Sequence, residues 1–186
     1  MTTRSLVRIA LFAAIIAALG LLPKFDLPFA GGVPITAQTL GVMLAGVLLG
    51  PRQAAAAVLL VIFVVALGAP LLAGGRGGLG VFVGPTVGFL LGWLPGAYVT
   101  GLIFRSLPRT LPVGLTAAVA AFLGGVVVIY AFGIAGLSLI SGMPLTQAAV
   151  ASLVFLPGDI VKAVATGVVT AATPANIRIG RAVSSA

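Results

Sequence analysis

Apolar residues in this sequence form long runs, which are separated by short clusters of glycine, proline and basic residues. A transmembrane helix needs about 20 apolar residues, and most of the runs approach or exceed that length. The short alternating strands of a transmembrane barrel do not occur. The pattern predicts an all-α integral membrane protein with a single domain, a bundle of six transmembrane helices at about residues 6–22, 35–50, 54–72, 79–104, 112–135 and 145–173.

Composition agrees with a membrane protein, since 61% of the 186 residues are hydrophobic and only 6% are charged. There is no cysteine and no histidine, which excludes disulfides, thiolate nucleophiles and the commonest zinc ligands. The net charge of +8 comes from ten Lys and Arg against two acidic residues. Because the basic residues lie mainly between apolar runs, we attribute them to membrane orientation. We therefore expect no metal, no cofactor and no nucleic-acid partner.

The basic residues also predict how the chain is oriented, because loops rich in Lys and Arg stay in the cytoplasm. With the amino terminus inside, only Lys24 and Arg76 fall outside, and Lys162 lies within the membrane. The opposite orientation reverses this bias, so we expect both termini to be cytoplasmic. The residues then assigned to the cytoplasmic side are Arg4, Arg8, Arg52, Arg105, Arg109, Arg178 and Arg181.

The last apolar run contains an acidic and a basic residue, Asp159 and Lys162. Ionisable side chains are costly inside a bilayer, so they commonly face a cavity or each other and mark a functional site. Residues at i and i+3 share one face of a helix, so both side chains can point into one pocket. Pro157 and Gly158 precede the pair, and we expect a kink there. The alternative interpretation is a structural ion pair that joins helices.

Two further polar residues are candidates for the same site. Gln38 carries an amide at the outer end of the short second run, and Arg76 lies in a glycine-rich turn at the same level. The amide can donate or accept a hydrogen bond, and the guanidinium can bind an anionic group. The respective alternatives are a hydrogen bond at the helix start and a solvated loop charge.

Nucleotide-binding motifs bear on enzymatic activity and on energy coupling. The segment 75–80 matches the letters of a dinucleotide-binding loop, but it follows a predicted membrane helix, and no acidic residue occurs about 20 positions later. The G-x-x-x-x-G-K-[ST] loop that binds ATP phosphates is absent from the sequence. A single intramembrane carboxylate also excludes a carboxylate dyad. We predict that the chain is not an enzyme and that another subunit must supply any ATPase activity.

Small residues recur every four positions in two of the runs, a spacing that lets transmembrane helices approach closely. The alanines of the first run include Ala14 and Ala18, and they suit either internal packing or a face offered to another membrane protein. We interpret the glycines of the fourth run as internal packing of the bundle. These glycines are Gly80, Gly84, Gly88, Gly92 and Gly96.

Four motifs, in order along the chain, together resemble the BioY family, the biotin-binding S components of energy-coupling factor transporters. They are PITAQTL at 34–40, GGRGGLG at 74–80, GPT at 84–86 and FLPGDIVK at 155–162. The likeness covers nearly the whole chain. Val87 and Phe89 depart from it, because Gly and Tyr are expected at these positions after the third motif.

The resemblance implies a six-helix protein of the bacterial inner (cytoplasmic) membrane that binds one biotin near its outer face, partly covered by the loop between the first two helices. Asp159 is then expected to accept hydrogen bonds from the ureido nitrogens, and Gln38 to donate or accept. Lys162 and Arg76 are the cations available for the carbonyl or the carboxylate of biotin. Without a ligand, Asp159 and Lys162 are expected to pair, because an unpaired buried charge is costly.

The resemblance also implies partners. A transmembrane coupling subunit and two ATPase subunits would energise uptake, and Ala14 and Ala18 would lie on the docking surface for the coupling subunit. The alternative is a proton- or ion-coupled secondary carrier of a vitamin-like substrate, with Asp159 as its titrating group. Such carriers often have broken helices in both halves of the chain. Here only the last run combines a break with charge, which favours the binding subunit.

Overall fold

The structure, a computed structural model, describes residues 2–23, 25–26, 34–175 and 178. Two short strands, β1 (Phe25–Asp26) and β2 (Pro34–Ile35), pair antiparallel between the first two helices. The rest of this part is mainly helical, which confirms the predicted all-α class. Lys24, Arg181 and most of the loop expected to cover the site lie outside the described residues. The helices are α1 (Thr3–Leu19), α2 (Gln38–Leu49), α3 (Pro51–Ala66), α4 (Val87–Ser106), α5 (Val113–Phe122), α6 (Ile129–Ser141), α7 (Leu145–Ser152) and α8 (Leu156–Ala172).

Three helical stretches among these residues are long and apolar enough to cross a bilayer. They are Val87–Ser106, Val113–Ser141 and Leu145–Ala172, with 20, 29 and 28 residues. The predicted second and third runs contain shorter apolar helices, α2 with 12 residues and α3 with 16. Gly50 joins them with a φ of 81°, a backbone conformation that favours glycine.

The fourth helix begins later in the structure than the sequence predicted. The chain forms a single 3-10 turn at Leu79–Phe82, and α4 begins at Val87 rather than at residue 79. Pro85 explains the difference, because proline lacks an N–H and disfavours helical conformation in the residue before it. Gly80 and Gly84 therefore lie outside α4, and the prediction that they belong to its packing stripe is wrong.

The remaining glycines of the stripe pack α4 against α6, as predicted. A Cβ on Gly88 would collide with the backbone of Phe132 and Gly136. A Cβ on Gly92 would lie 3.1 Å from the carbonyl oxygen of Ile129, closer than side chains normally approach. The absence of side chains on this face lets the two helices come together.

The stretch Val113–Ser141 is one continuous helix with an irregular centre. Between α5 and α6, residues Leu123–Val128 form a π-helical segment, in which the hydrogen bonds span five residues instead of four. Gly124 and Gly125 lie in this segment and face Thr100 of α4 and Met43 of α2. Because a Cβ on either glycine would collide with these neighbours, the segment lets α4 and α2 approach it closely.

The last run is divided as well. A 3-10 turn at Leu153–Phe155 separates α7 from α8, and Pro157 lies in the first turn of α8, where its missing N–H is tolerated. The predicted distortion near the charged pair is therefore present, but it precedes the proline. α8 then packs along α5 and α2, and this brings the charged pair into the interior of the bundle.

Candidate ligand-binding site

α8 presents Asp159 and Lys162 on one face, as their spacing predicts. The Lys162 Nζ donates a hydrogen bond of 2.8 Å to the Asp159 Oδ1, which confirms the predicted pairing. Asp159 is only 6% exposed. It lies in the first turn of α8.

Two residues that the sequence analysis did not single out complete this cluster. The Thr39 hydroxyl of α2 accepts a hydrogen bond of 2.9 Å from the Lys162 Nζ and donates one of 3.3 Å to the Asp159 Oδ1. The Tyr130 hydroxyl of α6 donates one of 2.7 Å to the Asp159 Oδ2. Three helices therefore contribute donors to one carboxylate. We call these four residues the polar cluster.

The polar cluster lies in the wall of a cavity of about 80 Å³. Elements α2, α4, α6 and α8 and the loop before α4 enclose the cavity, which brings together the four predicted binding residues, Gln38, Arg76, Asp159 and Lys162. No group of acidic, His or Cys residues that could hold a metal ion occurs within the described ranges. The other lining residues are Thr36, Thr39, Leu72, Thr86, Phe89, Leu90, Trp93, Gly125, Ile129, Tyr130 and Phe155.

Aromatic rings form one wall of the cavity. Phe89 lies edge-on to Tyr130 and to Phe155, with ring centroids 6.1 and 6.2 Å apart. Trp93, the single tryptophan of the sequence, lines the same wall and is 6% exposed. Apolar rings with a few polar groups opposite them are typical of sites for small molecules.

Gln38 lines the cavity, but its amide also holds the backbone together. Its Nε2 donates to the carbonyl oxygens of Ile16 and Leu71, and its Oε1 accepts from the Ala73 N–H, at 3.0–3.1 Å. The side chain thereby links α1 to the loop after α3. The alternative interpretation, a hydrogen bond at the start of the helix, is not what the structure shows, because all three partners lie in other elements. The role of the amide in ligand binding stays a prediction.

Arg76 lines the cavity from the loop after α3. Its Nε donates to the Ala73 carbonyl and its Nη1 to the Thr86 hydroxyl, both at 3.3 Å. The backbone of Leu72 and Arg76 forms two reciprocal hydrogen bonds, which close the glycine turn. The guanidinium is thus held beside the cavity, and these two hydrogen bonds use two of its five donors.

Ala14 and Ala18 both lie on the exposed face of α1. Ile9, Ala13 and Ile16 form the opposite, buried face of the same helix. The alanine stripe is therefore not part of the internal packing of the described bundle. Its predicted role in docking remains a prediction.

These features define a helical membrane protein with a buried polar cluster in an aromatic cavity. The fold is similar to the crystal structure of the S-component for biotin from an ECF-type ABC transporter, with a TM-score of 0.86 and 33% sequence identity, covering 92% of this chain and 93% of the other.

Sequence comparisons agree with the structural match. The sequence model of the BioY family matches residues 1–178. The chain is 55% identical to the biotin transporter BioY of Rhizobium etli over 168 residues, 88% of this chain and 89% of the relative. It is 53% identical to the biotin transporter BioY of Rhodobacter capsulatus over 175 residues, 89% of this chain and 90% of the relative. The chain belongs to the BioY family. It is a transport protein and not an enzyme, as predicted.

Proposed function

We propose that this chain binds biotin in the cavity beside Asp159 and mediates biotin uptake as the S component of an energy-coupling factor transporter. The observation that carries the proposal is the polar cluster, which faces an aromatic cavity that Arg76 also lines. The names of the relatives support the choice of ligand.

The chemistry of biotin matches the cavity group by group. Its ureido ring has two N–H donors and one carbonyl, its thiophane ring and side chain are apolar, and its tail ends in a carboxylate. Asp159 accepts from an N–H of the ureido ring, and Lys162 donates to the carbonyl. The apolar ring packs against Phe89 and Trp93. Charged hydrogen bonds of this type are stronger than neutral ones and orient the ring.

Binding requires the polar cluster to rearrange. The cavity of about 80 Å³ is smaller than the roughly 300–1,000 Å³ typical of small-molecule sites. A ureido N–H can replace Thr39 or Lys162 as a donor to Asp159, so the buried carboxylate is not left unpaired. As the ligand enters, its hydrogen bonds to Asp159 thus replace those that Thr39 and Lys162 made within the polar cluster.

The carboxylate of biotin lies toward Arg76 in this arrangement. Arg76 already donates to Ala73 and Thr86, and its remaining donors can bind the carboxylate. The ureido ring and the carboxylate thus contact opposite ends of the cavity, which favours an extended ligand with two polar ends.

We further propose six membrane crossings with both termini in the cytoplasm, in the inner membrane of a bacterium. The distribution of basic residues supports this orientation. α2 and α3 are short for independent crossings, so they depend on neighbouring helices or a locally thinner bilayer. The whole chain then forms one substrate-binding domain.

Energy for uptake comes from separate subunits in this proposal. The sequence has no ATP-binding loop, so two ATPase subunits supply hydrolysis through a transmembrane coupling subunit. The exposed face of α1 with Ala14 and Ala18 is the proposed contact, because small side chains let helices approach closely.

Trp93 provides the test. It is the sole tryptophan, and it lines the cavity, so its fluorescence should change when the purified protein is titrated with biotin. Lipoate is the matched control ligand, because it has a similar carboxylate chain and a sulfur ring but no ureido group. Equal responses to biotin and lipoate, or no binding of biotin by calorimetry, would overturn the proposal. Proton-driven accumulation of biotin by the reconstituted chain alone would favour a secondary carrier.

A further inference from the structure

A second, open hollow adjoins the binding cavity. It has a volume of about 450 Å³. Arg76 and Thr86 line both spaces, so their hydrogen bond of 3.3 Å forms part of the boundary between them. The other residues of the hollow are mostly glycines: Gly75, Gly77, Gly80 and Gly84, with Val81 and Pro85.

Two of these glycines leave space that neither backbone conformation nor packing explains. A Cβ on Gly80 would meet no atom of the described residues within 4 Å, and one on Gly84 only the Gly80 carbonyl oxygen at 4.0 Å. Neither residue has a positive φ, so a side chain is compatible with the backbone. Gly77 differs, because a Cβ there would collide with the Ala69 carbonyl. Among the residues that the structure describes, the volume beside Gly80 and Gly84 is therefore open to a ligand.

The chemistry of the boundary indicates which ligands fit. Arg76 binds the carboxylate of biotin in the function proposed above. An amide formed from that carboxylate keeps a carbonyl oxygen, which can accept from the same guanidinium. The group attached to the amide nitrogen then extends away from the aromatic cavity, and the hollow is the adjoining space that can hold it.

We propose that the hollow is a subsite for the amine-derived part of biotin amides, so that the protein binds biotin linked to lysine as well as free biotin. This inference rests on the proposed function. The hollow is lined mostly by glycine backbone, with one cation, one hydroxyl and the side chains of Val81 and Pro85. This mixture suits a flexible amine-derived chain that carries both methylene and polar groups. The subsite requires no opening of the polar cluster beyond that needed by biotin itself.

The first experiment compares free biotin with Nε-biotinyl-lysine on the full chain, using Trp93 fluorescence and calorimetry. The expected result is that the conjugate binds within about tenfold of free biotin, because the ring and amide carbonyl keep their contacts. If the protein binds biotin but not the conjugate, the subsite inference is wrong and the proposed function stands. If it binds neither, both are wrong.

A graded substitution series then tests the location. The variants Gly80→Ala, Gly80→Val and Gly80→Phe fill the hollow progressively without entering the aromatic cavity. Affinity for the conjugate should fall with side-chain size, by about tenfold or more for phenylalanine, as expected for steric exclusion. Affinity for free biotin should stay within about twofold.

Ser141→Phe is the matched control, because Ser141 is exposed and lines neither space. It should leave both affinities unchanged. If the Gly80 series weakens both ligands equally, or neither, the conjugate does not occupy the hollow. Gly84→Val repeats the test from the opposite part of the wall, and a normal affinity for free biotin verifies that each variant is folded.

Discussion

The Tyr130 hydroxyl donates a hydrogen bond of 2.7 Å to the Asp159 Oδ2, the carboxylate oxygen that Lys162 does not contact in the cluster. Both oxygens of the carboxylate are thereby held in place. Tyr130 of α6 holds Oδ2, and Lys162 of α8 and Thr39 of α2 hold Oδ1. The orientation of Asp159 depends on tertiary contacts and not only on its own helix. A ligand that approaches the cavity therefore meets an acceptor whose direction is already determined.

Replacement of Tyr130 by phenylalanine should weaken biotin binding by about two- to tenfold, the effect of one net hydrogen bond. The ring remains to pack against Phe89, so the cavity wall is kept. Fluorescence titration of Trp93 measures the change. Tyr98→Phe is the control, because Tyr98 is the other tyrosine, is 41% exposed and does not line the cavity. Unchanged affinity in Tyr130→Phe would mean that the remaining donors orient Asp159 on their own.

Asp159→Asn should have the larger effect. It removes the charged acceptor and leaves Lys162 without its partner, and a loss of about 2–3 kcal/mol corresponds to roughly thirty- to more than a hundredfold weaker binding. Calorimetry on the purified variant provides the measurement. Thr39→Val, which deletes a neutral hydroxyl of the same cluster, should cost less than Asp159→Asn. Wild-type affinity in the asparagine variant would falsify the ligand role of the carboxylate.

Gln38→Met tests the structural contribution of the buried amide. The substitution keeps the length of the side chain but leaves the Ala73 N–H and two carbonyl oxygens without their partner. The free energy of unfolding in detergent should fall by at least about 2 kcal/mol. Gln147→Met is the control, since Gln147 is exposed on α7. Equal stability of the two variants would contradict the role of Gln38 as a link between α1 and the loop after α3.

Ala14→Leu and Ala18→Leu test the proposed docking face. Both residues are exposed, so the variants should fold and bind biotin normally. The added volume should prevent close approach of a coupling subunit, and co-purification with the other subunits should be lost together with ATP-driven uptake. Ala172→Leu, at an exposed position at the end of α8, should assemble normally. Normal transport by both α1 variants would exclude this face as the contact.

Local spacing predicted the part of the site that lies on one helix. Asp159 and Lys162 are three residues apart on α8, so helical geometry alone brings them to one face. The same logic recognised the packing of Gly88 and Gly92 on α4. The same spacing also placed Gly80 and Gly84 on this helix. That prediction was wrong, because Pro85 disfavours a regular helix there and α4 begins only at Val87.

The residues that other helices contribute to the polar cluster could not be predicted from local spacing. Thr39 and Tyr130 are 120 and 29 residues from Asp159, and only tertiary packing brings them to it. Thr39 follows Gln38 directly within the motif at 34–40, which is the one sequence signal that indicated its region. Tyr130 offered no such signal, because a tyrosine in an apolar run is equally compatible with ordinary core packing.

The π-helical segment at Leu123–Val128 makes the α6 side of the cavity depend on the number of residues in a helix as well as on their identity. Each residue of an α-helix turns the chain by about 100°, so loss of one residue from this segment would rotate α6 relative to α5. Ile129 and Tyr130 would then leave the cavity, although every side chain of the cluster would still be present in the sequence. Sequence similarity to other family members is therefore a guide to this site only where the alignment has no gap between residues 123 and 128.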